Sequence, residues 1–167
     1  MDAYSFTGAL DVFEFHDAVL EQIELSPARM TWRLRAANLT ARCPLLCAPC
    51  DQEIASLRLT FEGWRVLSLS RQGYLVTEAG GQTRAVPDTP LPPEYLSALA
   101  HSGFPWDFKE AGPLPGFPAD RAFFFLFFGS ESELYRLDLS YERVTAAWDG
   151  YAGNAWYVGW NAQDRGS

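Results

Sequence analysis

The three cysteines of this 167-residue chain, Cys43, Cys47 and Cys50, all fall within the segment RCPLLCAPCDQE at residues 42–53. Thiolates are soft ligands, and cysteines two residues apart can share one zinc ion, whose structural sites take four ligands. The segment supplies three. Asp51, His16 and His101 are the available fourth ligands, and none of them stands at a diagnostic spacing. The competing reading makes these thiols small, half-buried apolar side chains under a proline-bounded loop between strands. An odd cysteine count in a reducing compartment argues against a disulfide framework in either case.

Other residues with chemical potential resolve less well. His16 and Asp17 are adjacent, so as neighbours on a strand they would point to opposite faces and could not form a dyad. Neither has a serine or cysteine in a nucleophile elbow to serve. Glu131 with Glu133, and Asp138 with Glu142, are paired carboxylates of the kind glycosidases use. They stand on a polar turn and on the polar face of an alternating strand, where surface charge is the ordinary outcome. Trp148, Trp156 and Trp160, in the tail WDGYAGNAWYVGWN, could stack against a sugar or peptide, or could equally cap a sheet. No residue is assigned a catalytic role, and the chain reads as a non-enzyme.

Charge narrows the partners. Against 13 Lys and Arg stand 21 Asp and Glu, a net charge of −8, which repels phosphate backbones and anionic membrane surfaces. Lys109 is the one lysine and no polybasic run exists, so neither nucleic acid nor a membrane is expected as a partner. The most apolar window, AFFFLFF at residues 122–128, falls far short of the roughly 20 residues that a membrane-spanning helix requires. The opening MDAYSFTGALDVFEF has no basic leader followed by an apolar stretch, and the expected compartment is the cytoplasm.

The elements that must position these residues are strands. Apolar and polar residues alternate from Val19 to Leu25, with Val19, Ile23 and Leu25 on one face and Leu20, Gln22 and Glu24 on the other. The turn SPAR follows, then a second alternating run from Met30. A four-residue loop would set Leu25 against Met30 and Ile23 against Trp32. Residues 56–70 alternate around Gly63, which suggests a meander, and QGYLVTEAGGQTRAV adds another short strand and a Gly-Gly turn that extend the sheet. Residues 87–118 hold eight of the eleven prolines and read as a connecting segment with one short helix from Pro93 to His101. AFFFLFF lacks alternation and reads as a central strand covered on both faces. The expected fold is a single domain over residues 1–167, mainly β and α+β at most: an antiparallel meander or sandwich-like sheet with one short helix.

Two resemblances bear on function. The cysteine spacing is similar to the iron–sulfur motif of radical S-adenosylmethionine enzymes, in which three thiolates hold a cubane. That family usually carries an aromatic residue before the last cysteine, where this chain has Pro49, and it uses a partial barrel of alternating strands and helices. Hairpins cannot supply that barrel. The second resemblance is carried by FHDA at residues 15–18 followed by an alternating hairpin. Over residues 13–39 the chain resembles small β-rich bacterial immunity-type proteins of polymorphic toxin systems. This implies a non-enzymatic protein that binds and blocks a partner, and an acidic surface suits a basic protein partner through electrostatic steering. The expected function is therefore a cytoplasmic protein-binding module, immunity-like and without a cofactor. The alternative is a small metal-binding protein that holds zinc on Cys43, Cys47 and Cys50.

Overall fold

The alternating runs on either side of SPAR close into a hairpin in the expected register, with Leu25 opposite Met30, Ile23 opposite Trp32 and Glu24 opposite Thr31. Ser26 locks the turn: its amide and its hydroxyl both donate to the Arg29 carbonyl, at 2.8 and 2.9 Å. One detail departs from strict alternation. A bulge at Glu21 shifts the register between Leu20 and Gln22, so Leu20 joins the buried face opposite Leu34. Period-two reading cannot detect such an inserted residue, and it assigns Leu20 to the wrong side.

The computed structural model describes residues 2–159. In chain order they form β1 (Tyr4–Thr7), a 3-10 turn at Leu10–Val12, β2 (Phe13–Glu14), β3 (Val19–Leu25), β4 (Arg29–Arg35), β5 (Ala37–Leu39), β6 (Gln52–Ile54), β7 (Leu57–Glu62) and β8 (Arg65–Arg71). There follow β9 (Tyr74–Thr77), β10 (Thr83–Val86), β11 (Thr89–Leu91), α1 (Tyr95–Ser102), β12 (Trp106–Pro113), β13 (Ala122–Phe128), β14 (Leu134–Ser140), β15 (Arg143–Trp148) and β16 (Tyr151–Asn154). Ten strands make one antiparallel sheet in the order β1-β15-β7-β4-β3-β12-β13-β14-β8-β11.

Two short links dictate the shape of that sheet. Gly63 and Trp64 alone join β7 to β8, and Tyr141 and Glu142 alone join β14 to β15, although each pair lies six places apart in the strand order. At about 4.8 Å per strand a flat sheet would separate them by roughly 29 Å, whereas a two-residue link reaches only about 11 Å. The sheet must fold over on itself. The bend lies where β3 meets β12 through only two residue pairs, Leu20 with Trp106 and Val19 with Asp107. Side chains from the two halves then meet: Trp32 of β4 packs on Phe125 of β13 at 4.7 Å between ring centroids, and Phe61 on Tyr141 at 5.1 Å. The arrangement is sandwich-like, and its edge strands β1 and β11 do not pair to close a barrel.

A second sheet, β16-β6-β5-β2, repeats the neighbour order of β15, β7, β4 and β3. It is the continuation of those strands after a shared bend, made at Ala36 (φ 60°), at Ala55 and Ser56, and at Asp149 and Gly150. The bend carries Phe13 onto the edge of Trp148 and Phe15 against Phe108, Phe123 and Phe125. Most of the buried apolar side chains form one cluster running from Leu10 to Trp148.

Several expectations change in this setting. The strands β7 and β8 do not form a meander; their link crosses between the two halves of the folded sheet. The connecting segment at 87–118 contains the helix, which begins at Tyr95, but it also supplies β11 and the central strand β12. Proline density hid β12 because Pro105 and Pro113 stand at its ends, where the missing amide costs no interior ladder bond. The AFFFLFF strand is central, between β12 and β14, yet beyond Ala122 only Phe123, Phe125 and Phe127 are buried, and Phe124, Leu126 and Phe128 are half exposed. Its other face is half covered by cationic side chains: Arg136 lies 4.6 Å over the Phe124 ring and Lys109 lies 5.5 Å over Phe128.

Tyr141 sits in the β14–β15 link with its hydroxyl buried and unpartnered among the described residues. Burial, with Asp120 and Asp11 adding to it, pushes its ionisation well above the ordinary value of 10.0. A raised acid favours the folded state below the unfolded value, so this contribution is complete under pH 10 and is lost as the pH climbs beyond it. Replacing Tyr141 with Phe removes an unsatisfied hydroxyl and should leave stability at pH 7 unchanged or raise it by up to about 1 kcal/mol. Urea titrations at pH 7 and above pH 10 check both points: the variant should lose less stability on the alkaline side than the parent.

Candidate protein-binding surface

The residues best placed to meet another molecule lie at one end of β8 and β11. Arg71 faces Thr89 in the large sheet and Tyr74 faces Val86 in the two-stranded sheet β9-β10. Only Gln72–Gly73 and Pro87–Asp88 separate these pairs, so β8-β9 and β10-β11 form one long hairpin whose outer half leaves the sheet as a ribbon. Pro87 cannot donate to the ladder at the neck, and the Asp88 carboxylate takes over by accepting from the Gly73 amide at 2.6 Å. A Glu78–Arg84 ion pair and the Glu78–Gln82 turn hold the tip.

The ribbon was expected to extend the main sheet, and instead both of its strands pair only with each other. Tyr74 and Leu75 are consequently 63% and 75% exposed. Residues opposite one another share a face, so Leu75, Thr77, Thr83 and Ala85 form an uncharged face, while Tyr74, Val76, Arg84 and Val86 form the other. Below the ribbon a cavity of about 420 Å³ is lined by Arg71, Gly73, Tyr74, Phe128, Glu133 and Leu134. A second, of about 300 Å³, lies on the far side of Arg71 and Glu133, against Tyr95 and Leu99 of α1 and Glu131.

A small polar cluster divides the two cavities. Arg71 Nε lies 2.9 Å from Glu133 Oε2, and the Tyr135 hydroxyl donates to that same oxygen at 2.9 Å. Burial, reinforced by the bond to Glu133, raises the Tyr135 ionisation and keeps it neutral. Glu133 stands out in the sequence beside Glu131, but its partners do not. Arg71 and Tyr135 are 64 positions apart and meet only because β8 pairs with β14.

The other candidates are placed as follows. Cys43 is buried in the core, Cys47 is exposed and Cys50 is half buried. Cys50 Sγ lies 3.4 Å from Asn154 Oδ1, while Cys47 Sγ lies 3.6 Å from its own loop's Leu45 carbonyl. Among the described residues no group of three or more His, Cys, Asp or Glu side chains converges as a metal site would need. Asp51 accepts from the Tyr157 hydroxyl, and His101 bonds the Ser97 carbonyl in the last turn of α1.

His16 and Asp17 do not occupy a strand. They form the turn between β2 and β3, Asp17 has φ 65°, and His16 Nε2 comes within 3.6 Å of Asp17 Oδ2. The two side chains that period-two geometry separates are therefore neighbours, with Lys109 Nζ 3.7 Å from Asp17 Oδ1. The other ring nitrogen of His16 bonds the Lys109 carbonyl at 2.7 Å, and the Asp17 amide donates to the Phe108 carbonyl. FHDA thus fastens β12 at the bend of the folded sheet. Asp138 pairs with Arg136, and Glu142 lies in the β14–β15 link. Trp148 is 1% exposed and stacks on Tyr4, so it belongs to the core, whereas Trp156 is 41% exposed. Trp160 lies outside the described residues.

No family model matches the chain, and no curated protein or solved structure matches it. No helix among the described residues is long and apolar enough to cross a membrane.

Proposed function

We propose that this chain is a non-enzymatic, cytoplasmic protein-binding module that captures a basic partner in the manner of the immunity-type proteins its opening resembles. The observation that carries the reading is the projecting β9-β10 ribbon, which places Tyr74 and Leu75 in solvent. A two-stranded ribbon is marginally stable in water, and large apolar side chains displayed on one are stabilised by a surface that covers them. Tyrosine is also among the residues that most often dominate binding energy. The cavity at the neck offers a socket for an apolar side chain of the partner, and the carboxylates of Glu133 on its wall and Asp88 at the neck favour a basic rim. The net charge of −8 accelerates encounter with a cationic protein at low salt.

The test is paired capture with the parent chain and a Tyr74→Ser/Leu75→Ser variant, across a salt series. Exposed side chains contribute little to folding, so the variant should unfold within about 0.5 kcal/mol of the parent. The parent should retain one basic protein with an affinity that weakens as salt rises. If the two residues act as a hot spot worth about 2 kcal/mol, the variant should bind roughly 30-fold more weakly. Equal retention by both chains, or retention indifferent to salt, rules the reading out.

A further inference from the structure

We propose that Cys47 and Cys50 are a reactive dithiol that closes to a disulfide on meeting a hydroperoxide, making the Cys47-Ala48-Pro49-Cys50 turn a modification site. The three thiols are unequal. Cys43 is 2% exposed within the apolar cluster and is shielded from solutes, while Cys47 is exposed and Cys50 is half buried beside it in sequence. The chain bends at each of Ala48, Pro49 and Cys50. Successive bends draw positions three apart towards each other, which is what a disulfide across two intervening residues requires. Cys50 is also held in place for the second step. Its sulfur accepts from Gln52 Nε2 at 3.5 Å and donates to Asn154 Oδ1 at 3.4 Å, and Gln52 Nε2 lies 2.9 Å from that same oxygen.

The chemistry balances with the hydroperoxide as the only oxidant. The Cys47 thiolate attacks one peroxide oxygen, the O–O bond breaks, and a sulfenic acid forms as an alcohol or water leaves with the thiol proton. The Cys50 sulfur then attacks the sulfenyl sulfur of Cys47. The S–O bond breaks, the disulfide forms, and the hydroxyl departs as water with the Cys50 proton. Two thiols are oxidised and one peroxide is reduced.

Closure withdraws Cys50 from Asn154, the last residue of β16. The pairing of β16 with β6 is already irregular between Tyr151 and Gly153. Just beyond it, the Ala155 amide donates to the Asp51 carbonyl and the Tyr157 hydroxyl donates to the Asp51 carboxylate. The state of the dithiol is therefore transmitted to the segment that carries Trp156, whose ring lies 6.0 Å from that of His16.

The experiment treats the full native chain with a small excess of hydrogen peroxide, blocks remaining thiols by alkylation, and maps the products by mass spectrometry with and without reduction. The expected product has lost two hydrogens, carries a Cys47–Cys50 link that reduction reverses, and leaves Cys43 to be alkylated only after unfolding. Tryptophan fluorescence should change on oxidation and recover on reduction. Cys50→Ser should trap a sulfenic acid at Cys47, and Cys43→Ser should behave as the parent. Oxidation of Cys47 to the sulfinic acid with Cys50 still free, a link through Cys43, dimers joined at Cys47, or no disulfide at all would each overturn the proposal. Because Tyr74 and Leu75 lie on the ribbon, their substitution should leave this oxidation unchanged, which separates it from partner capture.

Discussion

Phe125→Ala should destabilise the fold by about 3–5 kcal/mol, a large part of the roughly 5–15 kcal/mol that holds a domain of ordinary stability together. Phe125 is fully buried on β13 and its ring meets Trp32, Phe15, Phe108 and Phe123, with centroids 4.7–6.1 Å away. Trp32 belongs to the other half of the folded sheet, so truncation opens a cavity between the halves, in a place the backbone cannot collapse to fill. Urea unfolding measures the loss as a lower midpoint. Two neighbours serve as controls. Phe124 faces outward under Arg136, and its truncation should cost far less; Phe117, 46% exposed in the loop before β13, should be nearly silent. Equal losses at Phe124 and Phe125 would mean that both faces of the strand are covered, contrary to the fold described.

Gly73→Ala should disrupt the neck of the ribbon. A Cβ built at Gly73 would stand 2.0 Å from the Val86 carbonyl oxygen and 2.7 Å from the Pro87 carbonyl carbon. These are backbone atoms, which cannot rotate away as a side chain can, so the two strands must part and the bond from the Gly73 amide to Asp88 is lost. Overpacking of this severity costs about 1–3 kcal/mol. Its local effect is larger than its global one, because the ribbon outside the neck has few other supports. Amide exchange should accelerate across residues 74–86 while β13 and β14 stay protected, and partner capture should weaken together with the ribbon's order. Gly80→Ala, at the tip where nothing lies within 4 Å of the new atom, should leave both unchanged. Exchange in β9 and β10 that matches the parent after Gly73→Ala would show that the neck does not constrain the ribbon.

What could be read without coordinates was local. The Leu25–Met30 register, the turn at Ser26 and the mainly β character follow from side-chain alternation and turn chemistry, and the central place of β13 from the unbroken apolar run AFFFLFF, all of which are signals spanning a few residues. The bulge at Glu21 and the turn at Asp17 escaped because each inserts an irregular residue into a pattern that presumes regularity. The folded sheet was beyond reach for another reason. It depends on β7 not pairing with β8, nor β14 with β15, so that strands joined by two residues end six places apart in the sheet, and that choice is made by the summed burial of Trp32, Phe61, Phe125 and their contacts across the interior. The candidate surface divides in the same way. The sequence alone displayed a short strand with a Gly-Gly turn, a carboxylate pair and a cysteine loop. Only tertiary pairing set Arg71 beside Glu133, left Tyr74 and Leu75 in solvent, and buried Cys43 while exposing Cys47, because solvent exposure is a property of what covers a residue and neighbours in sequence do not specify it.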